Sequence, residues 1–139
     1  DVNTRATYFN SILWSGQIEL EDSYMFTYYS LFDKSLPSFT KKFPKNHDKL
    51  EPYIKEKKIQ QLIILSNGHY ILTNENNELI FWNLKIGQKG FDKNASPYIW
   101  SYVIEKDKDK LKIKEGRSFR NNRNYSEEFD RFYERLKGI

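Results

Sequence analysis

The alternation of hydrophobic and polar residues is most regular in the middle of the chain and predicts consecutive β-strands there. Residues 59–65 are aliphatic and lack Gly and Pro, and they precede Asn67-Gly68, a pair that readily adopts the positive φ values of a two-residue hairpin turn. Residues 70–73 and 79–86 flank a second polar turn at 74–77, where Asn tolerates left-handed geometry. The pattern predicts a three-stranded antiparallel meander over residues 59–85.

Two more strands are predicted beyond the loop at residues 87–97, which contains Gly and Pro. Residues 98–105 alternate with period two, the spacing of a strand. Residues 110–114 alternate Lys with Leu111 and Ile113, which indicates one buried and one solvated face. Lysines along a short strand also protect a sheet edge from pairing with another chain. We therefore expect a meander of about five strands over residues 59–115.

The C-terminal segment has the clearest amphipathic pattern in the chain. Hydrophobic residues recur at positions 125, 129, 132, 133 and 136, and Ser126 is a suitable N-cap. Acidic residues in the first turn and basic residues near the end match the helix macrodipole. We predict a helix over residues 126–137 that packs on the sheet.

The N-terminal third is harder to interpret because its aromatic residues fit two patterns. The hydrophobic positions at 8, 9, 12 and 13 predict a helix within residues 1–16 that ends at Gly16. Residues 17–32 fit a helix or a strand, and the acidic cluster before Ser23 favours a helix N-terminus. Residues 33–52 form a connector with three of the four prolines, and a short helix is predicted over residues 51–58.

Together these elements predict a single α+β domain over residues 1–139. It comprises a mainly helical part with a Pro-rich connector (1–58), an antiparallel β-meander of about five strands (59–115) and a C-terminal amphipathic helix (126–137). Aromatic residues make up 17% of the chain, which provides enough apolar surface for a substantial core.

The amino-acid composition limits the kinds of catalytic and metal-binding site that the chain can form. The absence of Cys excludes disulfides, thiolate metal sites and Cys nucleophiles, and His47 and His69 are the only histidines. The nucleotide-binding, nucleophile-elbow and zinc-protease motifs are absent, so a binding role is favoured over an enzyme and no cofactor is expected. The net charge of +4 comes from 23 basic and 19 acidic residues, which indicates a mixed surface.

Two sets of residues are candidate binding sites. In the first, Arg117, Arg120 and Arg123 recur around Phe119, so the loop could hold phosphate and stack a base. The alternative is a solvated loop whose arginines pair with nearby glutamates. In the second, Tyr98, Trp100 and Tyr102 share one face of a strand. They form either an exposed aromatic ladder, which suits a protein interface, or part of the core.

The leading hypothesis is a non-enzymatic protein-interaction domain: a bacterial accessory, inhibitor or immunity-type protein, or the soluble part of an exported or anchored chain. The alternative is a small basic RNA-binding or ribonuclease-like toxin domain, which requires His69 beside Arg117 or Arg120. A third reading is a small-ligand pocket between sheet and helix.

The expected partner is another protein, with nucleic acid as the alternative at the arginine loop and a homodimer through an edge strand as a further option. No hydrophobic run reaches the ~20 residues of a membrane span. The start at Asp1 without Met and the lack of Cys-based sites slightly favour an extracytoplasmic location.

Overall fold

The computed structural model describes residues 1–6, 11–39, 41–85, 100–107, 110–116 and 125–138. These residues form an α+β fold that consists mostly of two four-stranded antiparallel sheets, each with its strands in chain order. The chain divides into two compact units. The first contains residues 1–43, 89–97 and 122–139, and the second contains residues 44–88 and 98–121.

The elements have the following bounds. The first sheet contains β1 (Val2–Ala6), β2 (Leu13–Glu19), β3 (Ser23–Ser30) and β4 (Phe43–Pro44), and the second contains β5 (Tyr70–Glu75), β6 (Glu78–Asn83), β7 (Trp100–Asp107) and β8 (Lys110–Glu115). The helices are a 3₁₀ helix (His47–Tyr53), α1 (Lys57–Leu65) and α2 (Tyr125–Leu136).

The two predicted N-terminal helices are wrong, because β1, β2 and β3 occupy the described parts of these segments. The spacing of four between Tyr24 and Tyr28 puts both residues on one face of a strand as well as on one face of a helix. In β3, Tyr24 and Phe26 are almost fully buried, as the period of two requires. The high β-propensity of aromatic residues and the pairing with β2 decide the outcome.

The first strand predicted in the meander is also wrong, since residues 59–65 lie in α1. Asn67-Gly68 ends this helix instead of turning a hairpin: the amide of Asn67 donates to Ile64 O (2.9 Å) and that of Gly68 to Ile63 O (3.0 Å). These two bonds form a Schellman motif, for which the φ angles of 55° and 77° are well suited. The preference of Asn67 and Gly68 for positive φ thus ends a helix here instead of turning a hairpin.

The remaining strands of the meander are confirmed, so the second sheet has four strands and not five. The two-residue hairpin turn lies at Asn76-Asn77, with φ angles of 50° and 65°, and Glu75 pairs with Glu78 across it. The predicted loop at residues 87–97 and the ends of the third and fourth predicted strands, at residues 86 and 98–99, lie outside the described residues. The segment predicted as a helix at 51–58 contains the end of the 3₁₀ helix and the start of α1.

The core of the second unit lies between its helices and one face of its sheet. Side chains from both helices pack on alternate residues of the strands; the buried members are Leu50, Ile59, Leu62, Tyr70, Leu72, Phe81 and Ile104. Tyr70 stacks on Phe81 with ring centroids 4.6 Å apart. The face of α1 that carries Leu62 is therefore what covers this sheet.

We expect Leu62→Ala to lower the free energy of unfolding by about 2–5 kcal/mol, because it removes packed methyl groups and leaves a cavity. Ile64→Ala is the matched control on the same helix: Leu62 is 6% exposed and Ile64 is 76% exposed. The control should change stability by less than about 0.5 kcal/mol. Urea denaturation followed by circular dichroism measures both, and equal losses would contradict the assigned face of α1.

In the first unit, an ion pair occupies the outer edge of β3 near its C-terminal end. Arg135 of α2 donates to both carboxylate oxygens of Asp33 (2.5 and 2.6 Å) and to the carbonyl oxygen of Tyr28 (2.6 Å). Asp33 in turn accepts the amide of Ser30 (2.9 Å), and the Ser30 hydroxyl donates to Leu136 O (2.6 Å). The predicted C-terminal helix is thus confirmed as an element, but its last turn is bonded to the first sheet, whereas the prediction placed the helix on the meander.

The Arg135 guanidinium holds the pKa of the Asp33 carboxyl below its usual range. A carboxyl with a depressed pKa in the folded state stabilises the fold above its unfolded pKa of about 3.9, and this contribution is lost as the pH falls through the lower folded value. The ion pair is therefore a source of acid sensitivity.

We expect Asp33→Asn to lower the free energy of unfolding at pH 7 by about 2–4 kcal/mol, because it leaves Arg135 without its carboxylate. The variant should also lose the part of the acid destabilisation below about pH 4 that comes from Asp33. Glu134→Gln, at the exposed neighbour of Arg135, is the control and should stay close to the wild type. If the free energy of unfolding fell by the same amount in wild type and in Asp33→Asn as the pH is lowered below about 4, this role of Asp33 would be contradicted.

Candidate functional site

One face of the N-terminal sheet carries apolar side chains that are only partly covered. Side chains alternate between the two faces of a strand, so every second residue of β1, β2 and β3 contributes to this face. Its members, taken from the strand registers, are Val2, Thr4, Ala6, Trp14, Gly16, Ile18, Met25, Thr27 and Tyr29.

The middle row of this face is a trough of small residues. Thr4 pairs with Gly16, Gly16 pairs with Thr27, and Thr27 forms a bridge with Phe39. Neighbouring strands lie ~4.8 Å apart, so the floor from Thr4 to Thr27 is about 10 Å long and runs across the strands. Larger side chains on either side give the trough its depth.

These walls enclose a cavity of about 390 Å³, which we call the sheet groove. Val2 and Ile18 line one side and Trp14 and Tyr29 the other, while Pro37 and Phe39 stand at the β3 end. None of the described residues that line it carries a charged side chain. The groove is thus an apolar channel. Thr4, in the edge strand β1, forms one end of its floor.

Two contacts hold the walls in place. The Thr27 hydroxyl donates to Ser38 O (2.9 Å), which fixes the segment that carries Pro37 and Phe39 beside β3. The Trp14 indole donates to Ser11 O (2.9 Å), which orients its ring. Trp14 remains 39% exposed and Phe39 41% exposed. The aromatic walls are positioned by hydrogen bonds and still accessible to a partner.

The absence of a side chain at Gly16 creates the floor of the groove. A Cβ built at this position would lie 2.8 Å from Thr27 Cγ2 and 3.9 Å from Thr4 Cγ2. Any larger residue there would fill the space between the walls. Gly costs stability in a strand interior and often marks a place where another group approaches closely.

The predicted arginine loop lies outside the described residues, as does Tyr98; this covers Arg117, Phe119, Arg120 and Arg123. Their role in binding stays a prediction. The test that required His69 beside Arg117 or Arg120 likewise stays open.

Trp100 and Tyr102 both lie in β7. Trp100 is 40% exposed, whereas Tyr102 packs against the core cluster of the second unit. Burial raises the pKa of the Tyr102 phenol, and the nearby charge of Glu115 raises it further. The geometry at Tyr102 favours the core alternative, and a binding role for the two residues stays a prediction.

His47 has a structural role in the second unit. Its ring stacks on Tyr70 with centroids 4.0 Å apart, and its Nε2 lies 2.8 Å from the carbonyl oxygen of Tyr70. Within the described ranges, no group of three His, Cys, Asp or Glu residues is placed to hold a metal ion. Nor does this part of the chain contain a helix of the length and hydrophobicity that a membrane crossing needs.

Sequence reasoning missed Trp14, Gly16, Tyr29 and Phe39 as site residues, because it assigned the first three to helices. The available signal was the alternation of Trp14, Gly16 and Ile18, with a Gly inside a strand-like pattern. That alternation is short, and the helical spacing of the preceding residues obscured it.

Comparison with known proteins gives no match among family models, curated proteins or solved structures.

Proposed function

We propose that the chain is a non-enzymatic protein-interaction domain of the accessory, inhibitor or immunity type, and that it binds apolar side chains of a partner protein in the sheet groove. The observation that supports this proposal is the groove itself: an uncharged channel of about 390 Å³ with exposed aromatic walls on a hydrogen-bonded sheet.

The residue types of the groove suit a protein interface. Trp and Tyr provide much of the binding energy at such interfaces, because they bury a large apolar surface with few rotatable bonds. Trp14, Tyr29 and Phe39 provide such a surface here. Burial of apolar area stabilises a complex by about 25 cal/mol per Å², before the cost of association.

Exposed apolar side chains also occur in the segment that follows β3. Leu31 is 60% exposed, Phe32 is 58% exposed and Leu36 is 91% exposed. Together with the groove walls, these residues give the first unit several large hydrophobic side chains open to solvent.

The alternative, RNA binding, depends on residues outside the described ranges. Among the described residues that line the groove there is no Lys, Arg or His that could neutralise phosphate, which is the dominant contribution to nucleic-acid affinity. The groove therefore supports a protein partner.

The proposal predicts that Gly16→Val abolishes binding, because the new side chain fills the floor. A library of random ten-residue peptides, panned against wild type and each variant, measures this. Val suits a strand, but its Cβ would press on Thr27 Cγ2, and the Thr27 hydroxyl also holds Ser38 O, so the fold of the variant has to be verified directly. Gln17→Val is the matched control, since the next residue of β2 faces the opposite side of the sheet.

Wild type and Gln17→Val should enrich the same peptides, with a large apolar residue in common, and Gly16→Val should lose that enrichment. Circular dichroism and thermal unfolding of each variant confirm that it is folded. Enrichment of the same peptides on folded Gly16→Val would overturn the proposed function, as would a complete lack of enrichment on wild type.

A further inference from the structure

The backbone of β1 presents hydrogen-bonding groups at the mouth of the groove. Asp1 and Glu19 exchange both backbone hydrogen bonds (2.8 and 3.0 Å), so they form a hydrogen-bonded pair. Such pairs alternate along an antiparallel ladder, and residues of the intervening pairs point their N–H and C=O away from the neighbouring strand. By this alternation Thr4 and Ala6 direct their backbone groups outward, and Thr4 is also the first floor position of the groove.

The outer strands of the second sheet differ from β1. Three exposed lysines alternate along β8, at positions 110, 112 and 114, and such charges discourage strand addition. The edge of β5 is covered by the preceding segment: Leu72 N donates to Lys45 O (3.1 Å), and Asn46 Nδ2 donates to Leu72 O (2.8 Å). The sequence of β1, VNTRA, contains one charged residue, Arg5, against the three lysines of β8, and no Pro. Among these three edges, β1 is the one suited to accept another strand.

Two exposed carboxylates lie at one end of the first sheet. The β2–β3 turn carries the exposed carboxylates Glu21 and Asp22 and lies at the Val2 end of β1, whereas by the register the side chains of Asp1 and Glu19 project from the opposite face. The part of the groove lining that the structure describes is uncharged. A partner segment complementary to this surface therefore has an apolar centre and a cationic end.

We propose that the partner supplies an extended segment that pairs antiparallel with β1, inserts one large apolar side chain over Thr4 into the sheet groove, and places a Lys or Arg on its C-terminal side next to Glu21 and Asp22. The inference rests on the proposed function and specifies the partner's chemistry. A strand placed opposite Thr4 directs its side chain to the same face of the sheet, so backbone pairing and groove filling occur at one position. In antiparallel pairing its C-terminal side lies at the Val2 end, where the carboxylates are.

The probe is a synthetic eight-residue peptide of alternating Thr and Val with a central Phe and two C-terminal lysines, blocked at both ends. Three changes are compared: N-methylation at the Phe amide, N-methylation at the adjacent amide that points away from β1, and replacement of both lysines by Glu. Fluorescence polarisation measures each affinity for wild type, Gly16→Val, Gln17→Val and the double variant Glu21→Lys/Asp22→Lys.

We expect methylation at Phe to weaken binding about tenfold, because it removes a strand hydrogen bond, while methylation at the adjacent amide has little effect. The Glu peptide should bind wild type about tenfold more weakly and recover on Glu21→Lys/Asp22→Lys, and this difference should shrink with added salt. Recovery after charge exchange separates a direct contact from a change in folding.

The outcomes that overturn the inference differ from those that overturn the proposed function. If both methylated peptides bind equally while Gly16→Val still loses binding, the groove takes side chains without strand pairing and the inference fails alone. If binding is indifferent to Gly16→Val, the proposed function fails. If the peptides do not bind and sedimentation shows a dimer that Gly16→Val disrupts, a second copy occupies the groove and the inference is wrong. If the peptides do not bind and no dimer forms, the inference is also overturned.

Discussion

The outer edge of β3 has to be hydrogen-bonded, and several features of the N-terminal unit follow from this constraint. A buried backbone N–H or C=O without a partner costs about as much as a lost hydrogen bond, so each such group must be satisfied. Along β3 the partners are β4, the bridge between Thr27 and Phe39, and the ion pair of Asp33 with Arg135. The Asp33 carboxylate accepts the Ser30 amide, and the Arg135 guanidinium donates to the Tyr28 carbonyl, so two charged side chains continue the hydrogen bonding where no strand does.

The groove depends on the same edge of the sheet. The segment that satisfies Thr27 also carries the aromatic end wall, because the Thr27 hydroxyl binds Ser38 O and Phe39 forms the bridge. The floor exists because Gly16 has no side chain between Thr4 and Thr27. A binding surface built on paired strands loses little conformational entropy when a partner binds, which is why rigid sheets are suitable scaffolds for recognition. The proposed partner strand at β1 would extend the sheet on its opposite side.

The sequence predicted the second sheet better than the first. Strands β5 to β8 and helix α2 have a pattern with one consistent period, and the structure confirms them. The N-terminal hairpin was predicted as helix because residues four apart, such as Tyr24 and Tyr28, share a face in both structures. Asn67-Gly68 was misassigned because positive φ serves a helix end as well as a hairpin turn. The groove could not be predicted, because it depends on which residues of three strands become neighbours. The pairing of Gly16 with Thr27, for example, is set by the tertiary structure and not by the local sequence.

The most direct test of this account is a nuclear Overhauser measurement on the segment from residue 13 to residue 30. The register of β2 and β3 pairs Gln17 with Phe26 and Ser15 with Tyr28. Both are non-hydrogen-bonded pairs of the antiparallel ladder. In such pairs the α-protons of the two residues lie close together. We predict strong Hα–Hα cross-peaks for Gln17–Phe26 and Ser15–Tyr28. Sequential amide–amide cross-peaks through this segment, with none between its two halves, would show a helix and would contradict the hairpin, the groove and the function proposed for it.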